Sequence, residues 1–297
     1  MKKSGLITVL GPTSSGKSAM AVSLAKKFNG EVVSADSRQV YRGMDLGSGK
    51  ITQKEMKGVI HHLLDVASPQ KRFDVVQYRK LAQKAIVKII KKGETPILCG
   101  GTGFYIQAVV DGIVIPSVKP DWRLRANLEK SATEQLFEKL KKLDPERAKT
   151  IDKNNRRRLV RALEIVLKTK KTIPSLEKKP FPYPVLMLGI KKEKKELSSL
   201  IKKRLLMRLK RGMIAEVKKI HGEGISWKRL IEFGLEYRFI ARYLQKKLSY
   251  EQMLQLIQKE TEHFAKRQMT WFKRDKRIYW VKNQREAEKL VKKFLKN

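Results

Sequence analysis

The sequence predicts an α/β fold in which a parallel β-sheet is interrupted by an all-helical insertion. Apolar runs at 6–10, 31–36 and 95–103 are typical of buried strands, because a parallel sheet is covered on both faces. The segments between them, 17–28 and 74–92, place apolar residues at helical spacing. This alternation of strand and helix predicts a parallel sheet with helices packed against it.

The insertion is predicted from a change of pattern near residue 118. Residues 121–169 are helical in character, are rich in Lys and Arg, and contain no strand-like run. Residues 172–184 hold four prolines and predict an extended connector, after which the apolar run 185–190 returns to the strand pattern. The predicted domains are a core formed by 1–117 and 185–297 and a helical insertion at 118–184.

The C-terminal third is predicted to be mainly helical, with one more strand at 277–281. No apolar stretch approaches the roughly 20 residues that a membrane-spanning helix needs, so no membrane partner is expected. Cys99 is the only cysteine, so no intrachain disulfide is expected, which suits a reducing cytoplasm. The predicted C-terminal helices are 193–211, 213–221, 249–273 and 284–296.

The charge balance is strongly basic. Lys and Arg number 68 against 29 Asp and Glu, for a net charge of +39. A surface of this kind favours a polyanionic partner, because its summed field attracts opposite charge. High solubility alone is the alternative interpretation.

A phosphate-binding loop is indicated by "GPTSSGKS" at 11–18, which fits G-x-x-x-x-G-K-[ST] without a mismatch. The motif follows a predicted strand and opens a predicted helix, which is the context it needs. Its backbone N–H groups would surround phosphate oxygens, Lys17 would add a positive charge, and the Ser18 hydroxyl would ligate Mg²⁺. The core is therefore predicted to be P-loop NTPase-like. The candidate phosphate-binding residues are Gly11, Pro12, Thr13, Ser14, Ser15, Gly16, Lys17 and Ser18.

Asp36 permits two interpretations. It follows the second predicted strand, where an ATP-dependent P-loop enzyme places an acid that helps to hold its metal. A turn or helix-cap aspartate is also ordinary at such a position. From the P-loop and Asp36 alone, an ATP-binding kinase of small molecules is the first expectation.

Five further segments change that expectation. They are "SADSRQVYRGMDLGSGK" at 34–50, "GVIHHLLDVASP" at 58–69, "PILCGGTGFYIQAVVDG" at 96–112, "NNRRRLVRALEIVLKT" at 154–169 and "AKRQMTWFKR" at 265–274. In this order they resemble the tRNA dimethylallyltransferase family, also called tRNA isopentenyltransferases. Together with the P-loop, the resemblance covers nearly the whole chain.

The resemblance implies a reaction. The family transfers a dimethylallyl group from dimethylallyl diphosphate to N6 of the adenine that is 3′-adjacent to the tRNA anticodon, and pyrophosphate leaves. The P-loop, with Mg²⁺, would hold the diphosphate. Asp36 would be the general base, Arg204 would contact the pyrophosphate, and Thr102 would hydrogen-bond the amine or the RNA backbone. An ordinary helix cap is the alternative for Thr102.

The resemblance also implies contacts with the anticodon stem-loop of a tRNA, for which a monomer suffices. Gln268, Trp271 and Lys273 are predicted to extend a basic and aromatic RNA-binding face. For any single cation, a solvated side chain is the alternative. The candidate tRNA-binding residues are Asp36, Ser37, Arg38, Gln39, Thr102, Arg125, Arg157, Arg158, Arg161, Lys266 and Arg267.

Some features leave alternatives open. The segment "FGLEYR" at 233–238 departs from the family pattern, so the family's RNA contacts there are not carried over to it. A metal site is one interpretation of His61 and His62, and a structural or substrate-lining role is the other. The rival functions are a small-molecule P-loop kinase and a non-catalytic RNA-binding protein with a degenerate P-loop.

Overall fold

A computed structural model describes residues 5–113, 118–173 and 179–296 of the chain. The chain divides into two compact units, one formed by 1–112 with 180–297 and the other by 113–179. The observed helical unit begins and ends five residues before the predicted insertion at 118–184. Part of the predicted proline-rich connector, residues 174–178, lies outside the described residues.

The first unit is built on one parallel sheet, in the strand order β3-β2-β4-β1-β5-β6. Every pair of neighbouring strands is parallel, so the predicted α/β class is confirmed. The two-residue strand β3 is not predicted by the sequence pattern, because it is too short to show a period. The strands of the described residues are β1 (Leu6–Leu10), β2 (Gly30–Ser34), β3 (His61–His62), β4 (Thr95–Gly100), β5 (Val185–Ile190) and β6 (Ile278–Val281).

Helix boundaries follow local capping chemistry. Asp74, for example, accepts hydrogen bonds from the backbone N–H groups of Val76 and Gln77, so the helix predicted at 74–92 begins after it. The helices of the described residues are α1 (Lys17–Lys27), α2 (Gln53–Met56), α3 (Val75–Lys91), α4 (Gly103–Val110), α5 (Trp122–Leu128), α6 (Thr133–Leu143), α7 (Pro145–Thr150), α8 (Arg156–Thr169), α9 (Lys194–Lys210), α10 (Met213–Gly222), α11 (Trp227–Phe233), α12 (Leu235–Leu244), α13 (Tyr250–Phe272) and α14 (Gln284–Lys296).

Strand alternation sends side chains to both faces of the sheet. Leu6 and Leu10 of β1 pack with α3 and α4, whereas Ile7 and Val9 pack with α1 and α14. A further apolar cluster joins α9 to α13 around buried Tyr237. None of the described helices is long and apolar enough to cross a membrane.

The second unit is a helical cluster made of α5 to α8. Leu136, Leu140, Leu159 and Leu163 are buried at its centre. Glu164 on α8 is also fully buried, which is costly for a carboxylate unless it is paired. Its partners are the guanidinium groups of Arg125 and Arg161 and a backbone N–H, so this ion-pair network ties α5 to α8.

Glu31 forms a second buried ion-pair network, at the amino end of β2. Its side chain is 3% exposed and accepts hydrogen bonds from Lys92 and from a ring nitrogen of His62. Burial alone would favour the neutral acid, but these hydrogen bonds lower the pKa of Glu31 from 4.5 to about 2. The Glu31 carboxylate is therefore ionised in the folded protein.

We expect Glu31→Gln to lower the free energy of unfolding by about 2 kcal/mol near pH 7. Because the folded pKa lies below the unfolded one, the carboxylate stabilises the protein above pH 4.5, and this contribution disappears as the pH falls toward 2. Urea denaturation of both proteins should show the difference shrinking below pH 4.5. Glu223→Gln is the control, since Glu223 forms an exposed pair with Lys219 at 3.8 Å. Equal stability of Glu31→Gln and wild type at pH 7 would contradict the argument.

Candidate active site

The P-loop connects β1 to α1. Gly16 precedes the helix in a left-handed conformation, with φ of 89°, and no side chain caps the first turn. The uncapped N–H groups and the helix dipole make this end of α1 suitable for an anion. Ser15 contributes a buried hydroxyl that has no hydrogen-bond partner among the described residues.

Lys17 is folded back onto this loop. Its Nζ donates to the carbonyl oxygen of Pro12 at 3.2 Å. Burial lowers the pKa of Lys17, the positive charge of Arg204 lowers it further, and the carboxylate of Asp36 opposes that change. These three side chains therefore interact electrostatically at one site.

Asp36 follows β2, next to the GGTG turn that follows β4. Its Oδ1 accepts from the backbone N–H groups of Arg38 at 2.8 Å and Gln39 at 3.3 Å. Its Oδ2 has no hydrogen-bond partner within the described part of the chain. The turn-forming interpretation of Asp36 is thus correct for one oxygen, and the other remains available for chemistry.

Thr102 occupies the N-cap position of α4, but its side chain makes no cap hydrogen bond. Instead, its Oγ1 accepts from the backbone N–H of Ser37 at 3.1 Å, and its own N–H donates to Ala35 at 3.2 Å. The helix-cap alternative for the side chain is therefore wrong. Thr102 joins the GGTG turn to the segment that holds Asp36.

Three neighbouring strands bring these groups together. In the sheet order, β2 lies beside β4 and β4 beside β1, so the loops after their carboxyl ends meet at one edge. These loops contain Asp36, Thr102 and the P-loop respectively. The carboxyl ends of parallel strands are the usual ligand site of open α/β sheets.

Arg204 reaches this edge from α9. Its Nη2 donates to the carbonyl oxygen of Gly49 at 2.8 Å, and Gln39 Nε2 donates to the same oxygen at 3.2 Å. Burial, followed by repulsion from Arg208, lowers the pKa of Arg204. Arg204, Gly49 and Ser18 line a cavity of about 370 Å³ beside α1.

Loop 45–49 is itself held from α10 and α12. The carboxylate of Glu216 accepts from the backbone N–H groups of Asp45, Leu46 and Gly47, and from the hydroxyl of Tyr237 at 2.9 Å. The "FGLEYR" segment thus contributes Tyr237 to this interaction. Its glutamate, Glu236, accepts from buried Arg208 at 2.6 Å, so both side chains act inside the protein.

The candidate RNA-binding cations differ in exposure. Arg157, Arg158, Lys266 and Arg267 are exposed to solvent. Arg38 instead donates to the carbonyl oxygen of Phe233 at 2.7 Å. The remaining two, Arg125 and Arg161, pair with the buried Glu164.

Gln268 does not lie on the RNA-binding face predicted for it. It is 7% exposed and contacts both the P-loop and the GGTG turn, so its predicted place on an exposed face is wrong. The helical spacing could have indicated this. Gln268 falls three residues after Ala265 and four before Phe272, which are both buried.

The histidine pair makes protein contacts. His61 Nδ1 lies 2.9 Å from the carbonyl oxygen of Val59, and burial lowers the pKa of His61. His62 shares a hydrogen bond with Glu31. No group of three or more His, Cys, Asp or Glu side chains in the described ranges could hold a metal ion.

The fold and the Gly11–Ser18 loop define a P-loop α/β protein. A family model described as IPP transferase matches residues 39–275. The chain belongs to this family.

Individual relatives agree with that assignment. A tRNA dimethylallyltransferase of Acetivibrio thermocellus is 36% identical over 98% of this chain and 96% of its own length. A crystal structure of the full-length tRNA isopentenylpyrophosphate transferase from Bacillus halodurans is 35% identical, with a TM-score of 0.72, over 97% of this chain and 94% of that one. A structure of a eukaryotic dimethylallyltransferase acting on tRNA is 25% identical, with a TM-score of 0.75, over 94% and 73%.

Proposed function

We propose that this protein transfers a dimethylallyl group from dimethylallyl diphosphate to N6 of the adenine 3′-adjacent to a tRNA anticodon. The observation that supports this most strongly is the meeting of the P-loop, Asp36 and Thr102 at the carboxyl ends of three adjacent strands. A site for a pyrophosphate leaving group thus lies beside a carboxylate that can accept a proton. The names of the relatives point to the same reaction.

The step balances with the groups of this site. A bond forms between N6 and the allylic carbon, and the bond between that carbon and the diphosphate oxygen breaks with its electron pair. The N6 proton passes to Oδ2 of Asp36, which has no other described partner. P-loop N–H groups, Lys17 and Arg204 stabilise the charge that develops on pyrophosphate.

A Mg²⁺ ion bound beside Ser18 fits the oxygen ligands proposed there. Ser18 lines the cavity of about 370 Å³, and its hydroxyl with diphosphate oxygens and water would be a hard-oxygen set of the kind Mg²⁺ prefers. The bound ion would neutralise charge on the pyrophosphate.

For the RNA, we assign contacts to the exposed cations first. Arg157, Arg158, Lys266 and Arg267 can meet phosphates directly, whereas Arg125 and Arg161 would have to share their charge with Glu164. Ser37 and Gln39 lie beside Asp36 and would line the acceptor base. One chain supplies every proposed group, so we propose a monomer that acts on tRNA in the cytoplasm.

We expect the double variant Arg157→Gln, Arg158→Gln to weaken tRNA binding about tenfold, because it removes two exposed phosphate contacts. Filter binding with unmodified tRNA measures the effect. The control is Lys141→Gln, Lys142→Gln, which removes the same charge from exposed positions in the same helical unit. Equal weakening by both pairs would show that general charge, and not α8, attracts the RNA.

The transfer reaction is tested directly with labelled donors. The protein is incubated with unmodified tRNA, Mg²⁺ and labelled dimethylallyl diphosphate, and in parallel with labelled ATP. Label that enters tRNA from the prenyl donor supports the proposal. Phosphoryl transfer from ATP alone would establish the kinase alternative, and tRNA binding without any transfer would establish a non-catalytic RNA-binding protein.

A further inference from the structure

Gln268 is a buried polar side chain on a mainly apolar helix face. Met253, Ile257 and Ala265 precede it along the buried side of α13, and Phe272 follows it. A carboxamide in such a place is unfavourable unless both of its ends are hydrogen-bonded. Both ends of Gln268 are paired, and each partner is a backbone group of a different loop.

The first partner belongs to the P-loop and the second to the GGTG turn. Oε1 accepts from the N–H of Thr13 at 2.9 Å, and Nε2 donates to the carbonyl oxygen of Gly101 at 2.8 Å. A backbone N–H can only donate and a carbonyl can only accept, so these partners fix the orientation of the amide.

The close approach of Gln268 also explains why residue 101 is a glycine. A Cβ atom at Gly101 would lie 2.4 Å from Nε2 of Gln268, closer than real Cβ contacts allow. The turn therefore admits no side chain at this position while Gln268 is in place. The Trp271 ring of α13 also lies against this turn, because a Cβ at Gly103 would be 2.4 Å from it.

The two loops serve opposite partners of the proposed reaction. Thr13 lies in the loop assigned to the diphosphate. Gly101 precedes Thr102, whose hydroxyl is bonded to the N–H of Ser37 beside Asp36. One carboxamide thus connects the leaving-group side to the acceptor side through two hydrogen bonds.

We propose that Gln268 is a positioning residue that sets the distance between the diphosphate and the acceptor amine. This inference rests on the proposed function. Bond formation requires reacting atoms about 3–3.5 Å apart, and a displacement of about 1 Å can slow a reaction roughly 100-fold. Loss of the bridge lets the P-loop move relative to the turn without removing any group that touches either substrate.

The test uses Gln268→Met, which keeps the side-chain length and removes both hydrogen bonds. Trp271 still packs against the turn, so we expect a folded protein. At saturating tRNA and dimethylallyl diphosphate, the single-turnover rate should fall about 30- to 100-fold, while the Kd for tRNA changes less than about threefold. Gln258→Met is the matched control, since Gln258 is on the same helix and its side chain donates to nearby Glu262 at 3.2 Å.

Gln268→Glu separates the two hydrogen bonds. The ionised carboxylate can accept from Thr13 but cannot donate to Gly101, so the rate should again fall. Protonation restores a donor, and the ratio of variant to wild-type rate should therefore rise as the pH is lowered. A wild-type rate in Gln268→Met, or a tRNA Kd that weakens as much as the rate falls, would overturn the inference. Should Gln268→Met not fold, a Gln268→Glu rate equal to that of wild type at every pH would overturn it equally.

Hydrogen–deuterium exchange tests the bridge independently of prenyl transfer. Peptides covering 11–18 and 100–103 should both exchange faster in Gln268→Met than in wild type and in Gln258→Met. Unchanged exchange in both peptides would overturn the bridge even if transfer is established. Faster exchange in a protein that transfers no prenyl group would instead refute the proposed function and leave the bridge intact.

Discussion

We expect Asp36→Asn to lower the rate of prenyl transfer by about 10²- to 10⁴-fold, the range over which general bases contribute. The asparagine keeps an oxygen that can accept from the N–H groups of Arg38 and Gln39, so the turn should persist. It lacks the carboxylate oxygen that would take the N6 proton. Single-turnover rates and tRNA Kd values measured side by side should show a large loss of rate with binding nearly unchanged.

The control for this variant is Asp74→Asn. Asp74 also accepts two backbone N–H bonds with one carboxylate oxygen, at the start of α3. Asparagine caps helices about as well as aspartate, so this variant should retain wild-type turnover. If Asp36→Asn behaves like Asp74→Asn, then Asp36 only forms a turn and another group must accept the proton.

The second large effect is expected for Lys17→Met, which should raise the Kd for pyrophosphate about 100-fold. A partly buried ammonium in contact with an anion forms charge-assisted hydrogen bonds, which are the strong ones. Isothermal titration calorimetry with pyrophosphate measures the change. Lys26→Met is the control, because Lys26 lines the cavity beside Ser18 from an exposed position on α1 and should matter less than about threefold.

The pH dependence gives a further check on Lys17. Burial lowers its pKa, so the ammonium loses its proton at a lower pH than an ordinary lysine, whose pKa is 10.5. Relative to Lys17→Met, the wild-type affinity for pyrophosphate should therefore decline as the pH rises toward 10.5. A constant ratio of the two affinities across that range would remove Lys17 from the phosphate site.

Much of the fold could be predicted because it depends on local pattern. The buried strand at 185–190 and the helix at 284–296 have the predicted bounds, since apolar runs and amphipathic spacing are visible in the sequence itself. Helices α11 and α12 are not predicted. They are joined at Gly234 within the departing "FGLEYR" segment, and tertiary packing around Tyr237 decides their form.

The candidate site is predictable in composition more than in arrangement. The P-loop motif places Lys17 and Ser18 beside one another, and the resemblance selects Asp36 and Thr102. Sequence alone cannot tell that Thr102 bonds Ser37 instead of capping α4. Nor can it tell that Gln268 hydrogen-bonds to Thr13 and Gly101, which lie 255 and 167 residues away in the sequence. Such contacts exist only after the chain has folded.

The buried Glu164 affects how strongly salt should weaken RNA binding. Each phosphate that a free cation neutralises releases condensed counterions, and the slope of log affinity against log salt concentration counts those events. Arg125 and Arg161 already have an internal anion as partner, so they should release few counterions. The slope should therefore report fewer ionic contacts than the arginines of α5 and α8 suggest, and it should fall when Arg157 and Arg158 are replaced.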